Sequence, residues 1–215
     1  MVDYNFYKDK KVLVIGDTGF KGSWLSFWLT KMGARVYGFA LPPEQDESLY
    51  NLLGLKNKIE HQDGDIRSFV DLKSFFQSTK PEIVFHLAAQ ALVSKSYENP
   101  RYTFDTNIMG SVNVLDCTRV TKSIRSLIYV TSDKCYVNKE WVWGYRETDR
   151  LGGSDPYSGS KAAAELAINC FIESFFKEKE TFARIAVARA GNVIGGGDWA
   201  NDRVVVSTEK SFPLT

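Results

Sequence analysis

KVLVIGDTGFKG, Lys11 to Gly22, decides the fold of this 215-residue chain. The run Lys11–Gly16 is short, β-rich and apolar and ends directly on glycine, the pattern of a central strand buried on both faces of a parallel sheet. Gly16, Gly19 and Gly22 follow at GxxGxxG spacing. The first glycine permits a tight turn and the second lets backbone approach a diphosphate. The third lets the next helix pack on the strand with its amide dipoles facing the anion. From Phe20 to about Met32, apolar residues (Phe20, Trp24, Leu25, Trp28, Leu29, Met32) recur at helical spacing, and Gly33 closes the helix. Strand, glycine turn and helix in this order form a dinucleotide-binding opening, with Gly16, Thr18, Gly19, Phe20, Lys21 and Gly22 as candidate contacts.

Outward from that stretch, strand-like runs alternate with helix-period segments. Strands are predicted at Ala34–Ala40, about Ile59–Gln62, Glu82–His86, Leu127–Thr131 and Arg184–Arg189. Helices are predicted at about Ser68–Ser78, Arg101–Thr121 and Pro156–Lys177, the last opened by Asp155-Pro156. Trp141–Asp155 reads as irregular and aromatic. The alternation predicts an α/β fold: a Rossmann-type, doubly wound parallel sheet with helices on both faces. Residues 1–198 form the dinucleotide-binding domain in this reading. Residues 199–215, polar towards their end, form a short tail, a remnant of a substrate-binding domain.

Apolar residues make up 44% and charged residues 25% of the chain, with a net charge of +1. That balance marks neither a nucleic-acid binder nor a membrane-surface binder. No apolar run approaches a membrane span, and the start MVDYNFYKDK lacks the layout of a signal peptide. Cys117, Cys135 and Cys170 are widely spaced, without CxxC pairing, so neither a disulfide framework nor a metal site is expected, and a reducing cytoplasm is.

Ligands of such sheets bind at the carboxyl ends of the strands. There the sequence offers Asp65 and Ile66 for an adenine, and Leu87, Ala88, Ala89 and Gln90, whose small side chains let backbone run close to a ribose. After the second strand the chain reads Phe39-Ala40-Leu41-Pro42, without the acid or arginine that separates NAD from NADP, so the residues alone leave that choice open. Tyr157 and Lys161 stand four apart at a helix start and stack on one face. A nearby ammonium and an oxidised nicotinamide bring a phenol towards use as a base near neutral pH. The fifth strand ends in Thr131-Ser132-Asp133-Lys134, which adds a hydroxyl, an acid and an amine at the same sheet edge. His86, at a strand end, reads as structural, and His61 carries no signal. Trp141, Trp143 and Tyr145 fit a stacking platform or a packed loop equally well.

GDTGFKG, HLAAQ, VTSDKCY and DPYSGSKAAAE together resemble the extended short-chain dehydrogenase/reductase family. KCYVNKEWVWGYRETDRLGGSDPYSGSK and RAGNVIGGGDWA are similar to its sugar-nucleotide 4,6-dehydratases, those acting on CDP-glucose in particular. The resemblance runs from about Lys10 to Arg203 and implies a redox-neutral lyase with NAD as cofactor and CDP-glucose as substrate, in O-antigen sugar pathways. It implies that Tyr157 takes the sugar 4-hydroxyl proton, Lys161 tunes that tyrosine and holds the nicotinamide ribose, and Ser132 hydrogen-bonds the 4-hydroxyl. Asp133 protonates the departing 6-hydroxyl. Lys134, where related dehydratases carry glutamate, is the candidate C5 base, a role that needs a neutral amine. Thr131, Ala190 and Gly191 fall at cofactor positions, Asn192 and Arg203 at substrate positions, and Asn107 at a position that orders the site.

The family continues into a carboxyl-terminal domain that grips the nucleotide, so most of that domain is expected to be missing here. The resemblance further implies a homodimer built on the helices at about Arg101–Thr121 and Tyr157–Lys177. Two other readings stay open: a nucleotide-sugar 4-epimerase or reductase on the same scaffold, and a silent dinucleotide-binding remnant. Asp133-Lys134 favours the dehydratase, because epimerisation expels no hydroxyl.

Overall fold

In a computed structural model, which describes residues 5–177 and 183–199, Val12, Leu13, Val14 and Ile15 of strand β1 (Lys11–Ile15) have no exposed surface. Side chains of a strand point alternately to the two faces of its sheet, so two cores form around β1. Leu13 and Ile15 join one, Val12 and Val14 the other.

Helix α1 (Phe20–Lys31) follows, then β2 (Arg35–Ala40), the short α2 (Leu49–Leu52), β3 (Glu60–Asp63), α3 (Phe69–Thr79) and β4 (Ile83–His86). Next come α4 (Val93–Glu98), α5 (Pro100–Phe104), a wide turn over Asp105–Met109 and α6 (Gly110–Val120). The chain ends its described part with β5 (Ser126–Ser132), α7 (Pro156–Phe171), a second wide turn over Ile172–Phe176 and β6 (Arg184–Ala190). All strands are parallel, in the order β3-β2-β1-β4-β5-β6. The order reverses between β1 and β4, and a crevice opens at their carboxyl ends, where such sheets take ligands. This is the Rossmann-like doubly wound sheet anticipated from the alternation of elements.

The expected single helix over Arg101–Thr121 is interrupted. Asn99-Pro100 starts it, Asn99 capping the amide of Tyr102, and a π turn at Asp105–Met109 divides α5 from α6. Its first core contains Phe39, Phe76, Leu115, Tyr129 and Ile168, brought together by α3, α6 and α7. Burying one such leucine or phenylalanine contributes about 1.5–3 kcal/mol. The second core, with Leu29, Val36, Tyr50, Leu55 and Ile59, lies under α1 and α2 and covers the β3-β2-β1 half of the sheet. On that face of β5 and β6, Ile128 and Val130 are half-buried and Ala186 and Ala188 exposed.

Helix α1 inverts the usual pattern. Its buried residues are Gly22, Ser23, Ser26 and Leu29, while Trp24 and Trp28 are exposed. Small residues let this helix sit close to the sheet, so its large ones face out. Trp24 donates its indole N–H to the Gly196 carbonyl at 3.1 Å. Among the described residues no helix is long and apolar enough to cross a membrane.

Candidate functional site

At the carboxyl end of β1 the glycine turn is sterically forced. Gly16 has φ +92°, and a Cβ there would stand 2.6 Å from the Ala88 nitrogen. A Cβ on Gly22 would stand 1.9 Å from the Gly16 carbonyl oxygen. Helix α1 therefore starts directly over the strand end. Gly19 caps it without any side-chain acceptor, and the first turn borders the cavity at the strand ends. Thr18 donates its hydroxyl to the Leu41 carbonyl at 2.8 Å and fixes the β2 exit as the opposite wall.

A cavity of about 640 Å³ opens from this turn along the strand ends, within the range of cofactor sites. Of the candidate cofactor residues, Gly16, Thr18, Gly19, Phe20, Lys21, Gly22, Asp65, Ile66, Leu87, Ala88, Ala89, Gln90, Thr131, Tyr157, Lys161, Ala190 and Gly191 all line it, as do Ser132 and Asn192. Asp133 and Lys134 do not. They form a short 3₁₀ turn with Cys135, and their side chains are 48% and 55% exposed, 3.8 Å from each other. Arg203 and the proposed tail beyond Trp199 lie outside the described residues.

Asp65, anticipated as an adenine contact, is also committed to Arg67. Its carboxylate accepts from the Arg67 backbone N–H at 2.9 Å and from the guanidinium at 2.5–3.1 Å. Burial pushes this carboxyl up, but Arg67 outweighs it and holds it below the usual range. Ile66 is buried, and a Cβ on Gly110 would strike it.

The other end of the cavity is built by α7. Asp155 caps this helix, accepting from the Ser158 amide at 2.9 Å and its hydroxyl at 2.6 Å, and Pro156 opens the first turn. Tyr157 and Lys161 are both buried, with the ammonium 5.9 Å from the phenol ring centre. Burial, and secondly the Lys21 cation, lower the Lys161 amine to about 8. Ser132 donates to the Asp133 carboxylate at 3.1 Å and accepts the Lys134 amide at 3.2 Å.

Asn107 sits in the π turn, a distortion that frequently marks functional positions. It accepts from the Gln90 amide at 2.9 Å and donates to the Gln90 carbonyl at 3.1 Å and to the Ser160 hydroxyl at 2.8 Å. It thereby ties the loop after β4 to α7. His86 is buried edge-on to Tyr129, ring centres 4.9 Å apart, and burial followed by the Lys161 charge lowers it to about 3. A permanently neutral imidazole there is structural. Tyr145 stacks on Tyr136 at 5.0 Å, Trp141 leans on Tyr145, and Trp143 is 74% exposed; all lie outside the cavity lining.

Sequence reasoning missed two clusters. Asp17, inside the glycine turn and fully buried, lies 2.7 Å from His61 Nδ1, whose Nε2 reaches Asp63 at 3.0 Å. Burial opposes the imidazolium, but the two carboxylates prevail and raise His61 above its ordinary value. An acid following the first glycine is the one sequence signal for this cluster. The second joins Thr131, Glu165 and Arg189, residues that no local motif connects.

Residues 13–182 match the family model described as GDP-mannose 4,6-dehydratase. CDP-glucose 4,6-dehydratase of Salmonella typhimurium is 50% identical over 215 residues, covering 99% of this chain and 60% of that protein. CDP-paratose 2-epimerase of Salmonella typhi is 30% identical, covering 72% of this chain and 51% of its own. Among solved structures, UDP-glucose 4-epimerase of Thermotoga maritima, with UDP-glucose, superposes with a TM-score of 0.79 at 25% identity, covering 91% of this chain and 60% of that one. The chain thus spans just over half the length of these relatives.

Proposed function

The chain belongs to the GDP-mannose 4,6-dehydratase family, and on that premise we propose that it is the cofactor-binding and proton-transferring part of an enzyme that dehydrates CDP-glucose to CDP-4-keto-6-deoxyglucose with NAD. One observation carries the reading: Tyr157, Lys161 and Ser132 open on the same cavity as the glycine turn. The 50% identity to the Salmonella CDP-glucose dehydratase favours CDP-glucose among sugar nucleotides.

The residues fit NAD. Gly16 and Gly22 let α1 start directly over the end of β1, so the positive end of the helix dipole, with no side-chain cap, faces the diphosphate position. When bound, NAD supplies a nicotinamide that accepts a hydride from C4 of the sugar and returns it at C6. Tyr157 takes the 4-hydroxyl proton, with Lys161 stabilising the phenolate, and Ser132 holds that hydroxyl. A ketone at C4 acidifies the C5 hydrogen. Lys134 takes it as a proton. Asp133 protonates the leaving 6-hydroxyl, which departs as water, and a proton is restored to C5. The sum is loss of one water, with the cofactor regenerated. Asn192 and Arg203 serve the substrate. Residues 1–198 act as the dinucleotide domain, and residues 199–215 begin the substrate-binding portion.

A 4-epimerase shares the first oxidation, and the likeness to the Thermotoga epimerase supports that second reading. Asp133-Lys134 favours dehydration. Exposed Phe104 on α5, Leu166 on α7, and Met109 and Phe175 in the two wide turns support a homodimer, and thiols without disulfide partners support a reducing cytoplasm. Incubation with NAD and CDP-glucose should yield a 4-keto product with alkali-induced absorbance, lost in Tyr157→Phe. CDP-galactose instead would establish the epimerase, and neither product alongside NAD binding would leave a silent cofactor domain. Light scattering at micromolar concentration should give the mass of two chains; a monomer would refute the dimer.

A further inference from the structure

Beneath the Ser132–Lys134 turn lies a buried ion pair that the chemistry above does not use. Glu165 is 1% exposed and stands on α7, one turn beyond Lys161 and two beyond Tyr157. Arg189, at the end of β6, donates Nε to both Glu165 oxygens at 2.9 Å and Nη2 to Oε2 at 2.5 Å. Burial raises the Glu165 carboxyl, but hydrogen bonds from Arg189 and Thr131 hold it below its usual value, so it stays ionised.

What surrounds the pair is informative. Thr131, immediately before Ser132, donates its hydroxyl to Glu165 at 2.6 Å. Cys135, immediately after Lys134, is buried, and the nearby Glu165 charge helps raise its thiol. Tyr136, the next residue, accepts from Arg189 Nη1 at 2.6 Å, and its ring lies 4.7 Å from the guanidinium carbon. The same Nη1 reaches the Glu147 carbonyl at 2.9 Å, in the loop that carries Trp141 and Trp143. Both ends of the Ser132–Lys134 turn are therefore pinned to one carboxylate–guanidinium unit, and that carboxylate shares a helix face with Tyr157 and Lys161.

A buried ion pair is weak evidence for stability, because its desolvation cost offsets most of the attraction. Its geometric consequence is firm. Side chains at 133 and 134 are half exposed, and the contacts given for them, to Ser132 and to each other, lie within the turn itself. We propose that Glu165 and Arg189 are positioning residues that set the turn bearing Ser132, Asp133 and Lys134 at a fixed distance from Tyr157 and Lys161. The roles of those five residues rest on the function proposed above; the tethering does not.

The test uses the full chain in two variants, Arg189→Lys, which keeps the charge and loses the fork, and the milder Tyr136→Phe, which deletes one tether. In cofactor-free protein, hydrogen exchange should speed up roughly ten-fold or more at the amides of Lys134, Tyr136 and Val137 in Arg189→Lys, less in Tyr136→Phe, with β1 and α3 unchanged. Those amides now bond Ser132 Oγ, the Asp133 carbonyl and the Arg150 carbonyl. NAD affinity should stay within about two-fold, since the glycine turn is untouched. With CDP-glucose present, turnover should fall by about 10²-fold at unchanged KM, and reduced nicotinamide should accumulate because water loss lags C4 oxidation. Unchanged exchange over 134–137 in both variants, or exchange rising there only in step with β1 and α3, would overturn the proposal. The exchange arm needs no substrate, so a wild-type chain that binds NAD without turnover would sink the proposed function and leave this inference standing or falling on exchange alone.

Discussion

Gly19→Ala separates the cofactor claim from the stability of the fold. At Gly19 the backbone is extended, with φ −73° and ψ 164°, which alanine adopts freely. A Cβ there meets only the Gly16 carbonyl, at 3.4 Å, an ordinary contact. The residue nevertheless lines the cavity at the start of α1, so the methyl projects where a diphosphate would approach the helix amides. Losing one charge-assisted hydrogen bond to that anion is worth about 1.5–3 kcal/mol, or roughly ten- to hundred-fold in NAD dissociation constant. Melting temperature should move by no more than about 2 °C, since surface changes without strain stay near 0.5 kcal/mol. Gly22→Ala is the contrast. Its Cβ would stand 1.9 Å from the Gly16 oxygen and 2.7 Å from the Gly16 carbonyl carbon, both backbone, so α1 must shift off the strand. Overpacking of that kind costs about 1–3 kcal/mol, and the melting temperature should fall by several degrees. Calorimetric titration with NAD and a thermal melt on each variant read both quantities. NAD binding unchanged in Gly19→Ala would refute the assignment of the turn as a diphosphate cradle.

Three further outcomes follow from the buried charges. Lys161→Met should stabilise the protein at pH 7, since a drop from 10.5 to about 8 corresponds to an energetic cost on the order of 3 kcal/mol. Because the folded value is depressed, that cost is full below about pH 8 and vanishes as the unfolded lysine also deprotonates near 10.5, so chemical denaturation should find the gain shrinking across that window. His61 has the opposite sign: its raised folded value stabilises below pH 6.5 and that contribution is lost as pH climbs through the folded value. His61→Gln should cost about 3 kcal/mol near pH 6 by leaving Asp17 buried without its partner, and equal stability of the two proteins at that pH would contradict the pairing. Tyr157→Phe should lower turnover by about 10²–10⁴-fold while NAD affinity stays within about two-fold, read by product formation and titration.

The fold was legible where its causes are local. Lys11–Gly22 carries strand, turn and helix start in twelve consecutive residues, and strands joined by helical crossovers have one favoured handedness, which leaves few sheet orders to choose from. The Tyr157–Lys161 pair was legible for the same reason, since its spacing is a helix face. What escaped depends on distance. Asp17 and His61 are 44 residues apart and meet only because β3 pairs with β2, where Gly38 leaves space for the carboxylate. Glu165 and Arg189 meet only once β6 lies beside β5. Helix α4 went unread because Val93–Glu98 has no apolar period. The break at Asn107 went unread because a π turn leaves no compositional mark, and its reason is the clamp that asparagine makes on Gln90.

The most direct measurement follows a label. CDP-glucose carrying deuterium at C4 is incubated with the chain and NAD, and the product is analysed by mass spectrometry and NMR. If Tyr157, Lys161 and the 132–134 turn act on one sugar over one nicotinamide, the product has lost a single water and carries the deuterium on C6. A ketone whose deuterium has washed into solvent, or deuterium returned to C4 with no water lost, would contradict that arrangement.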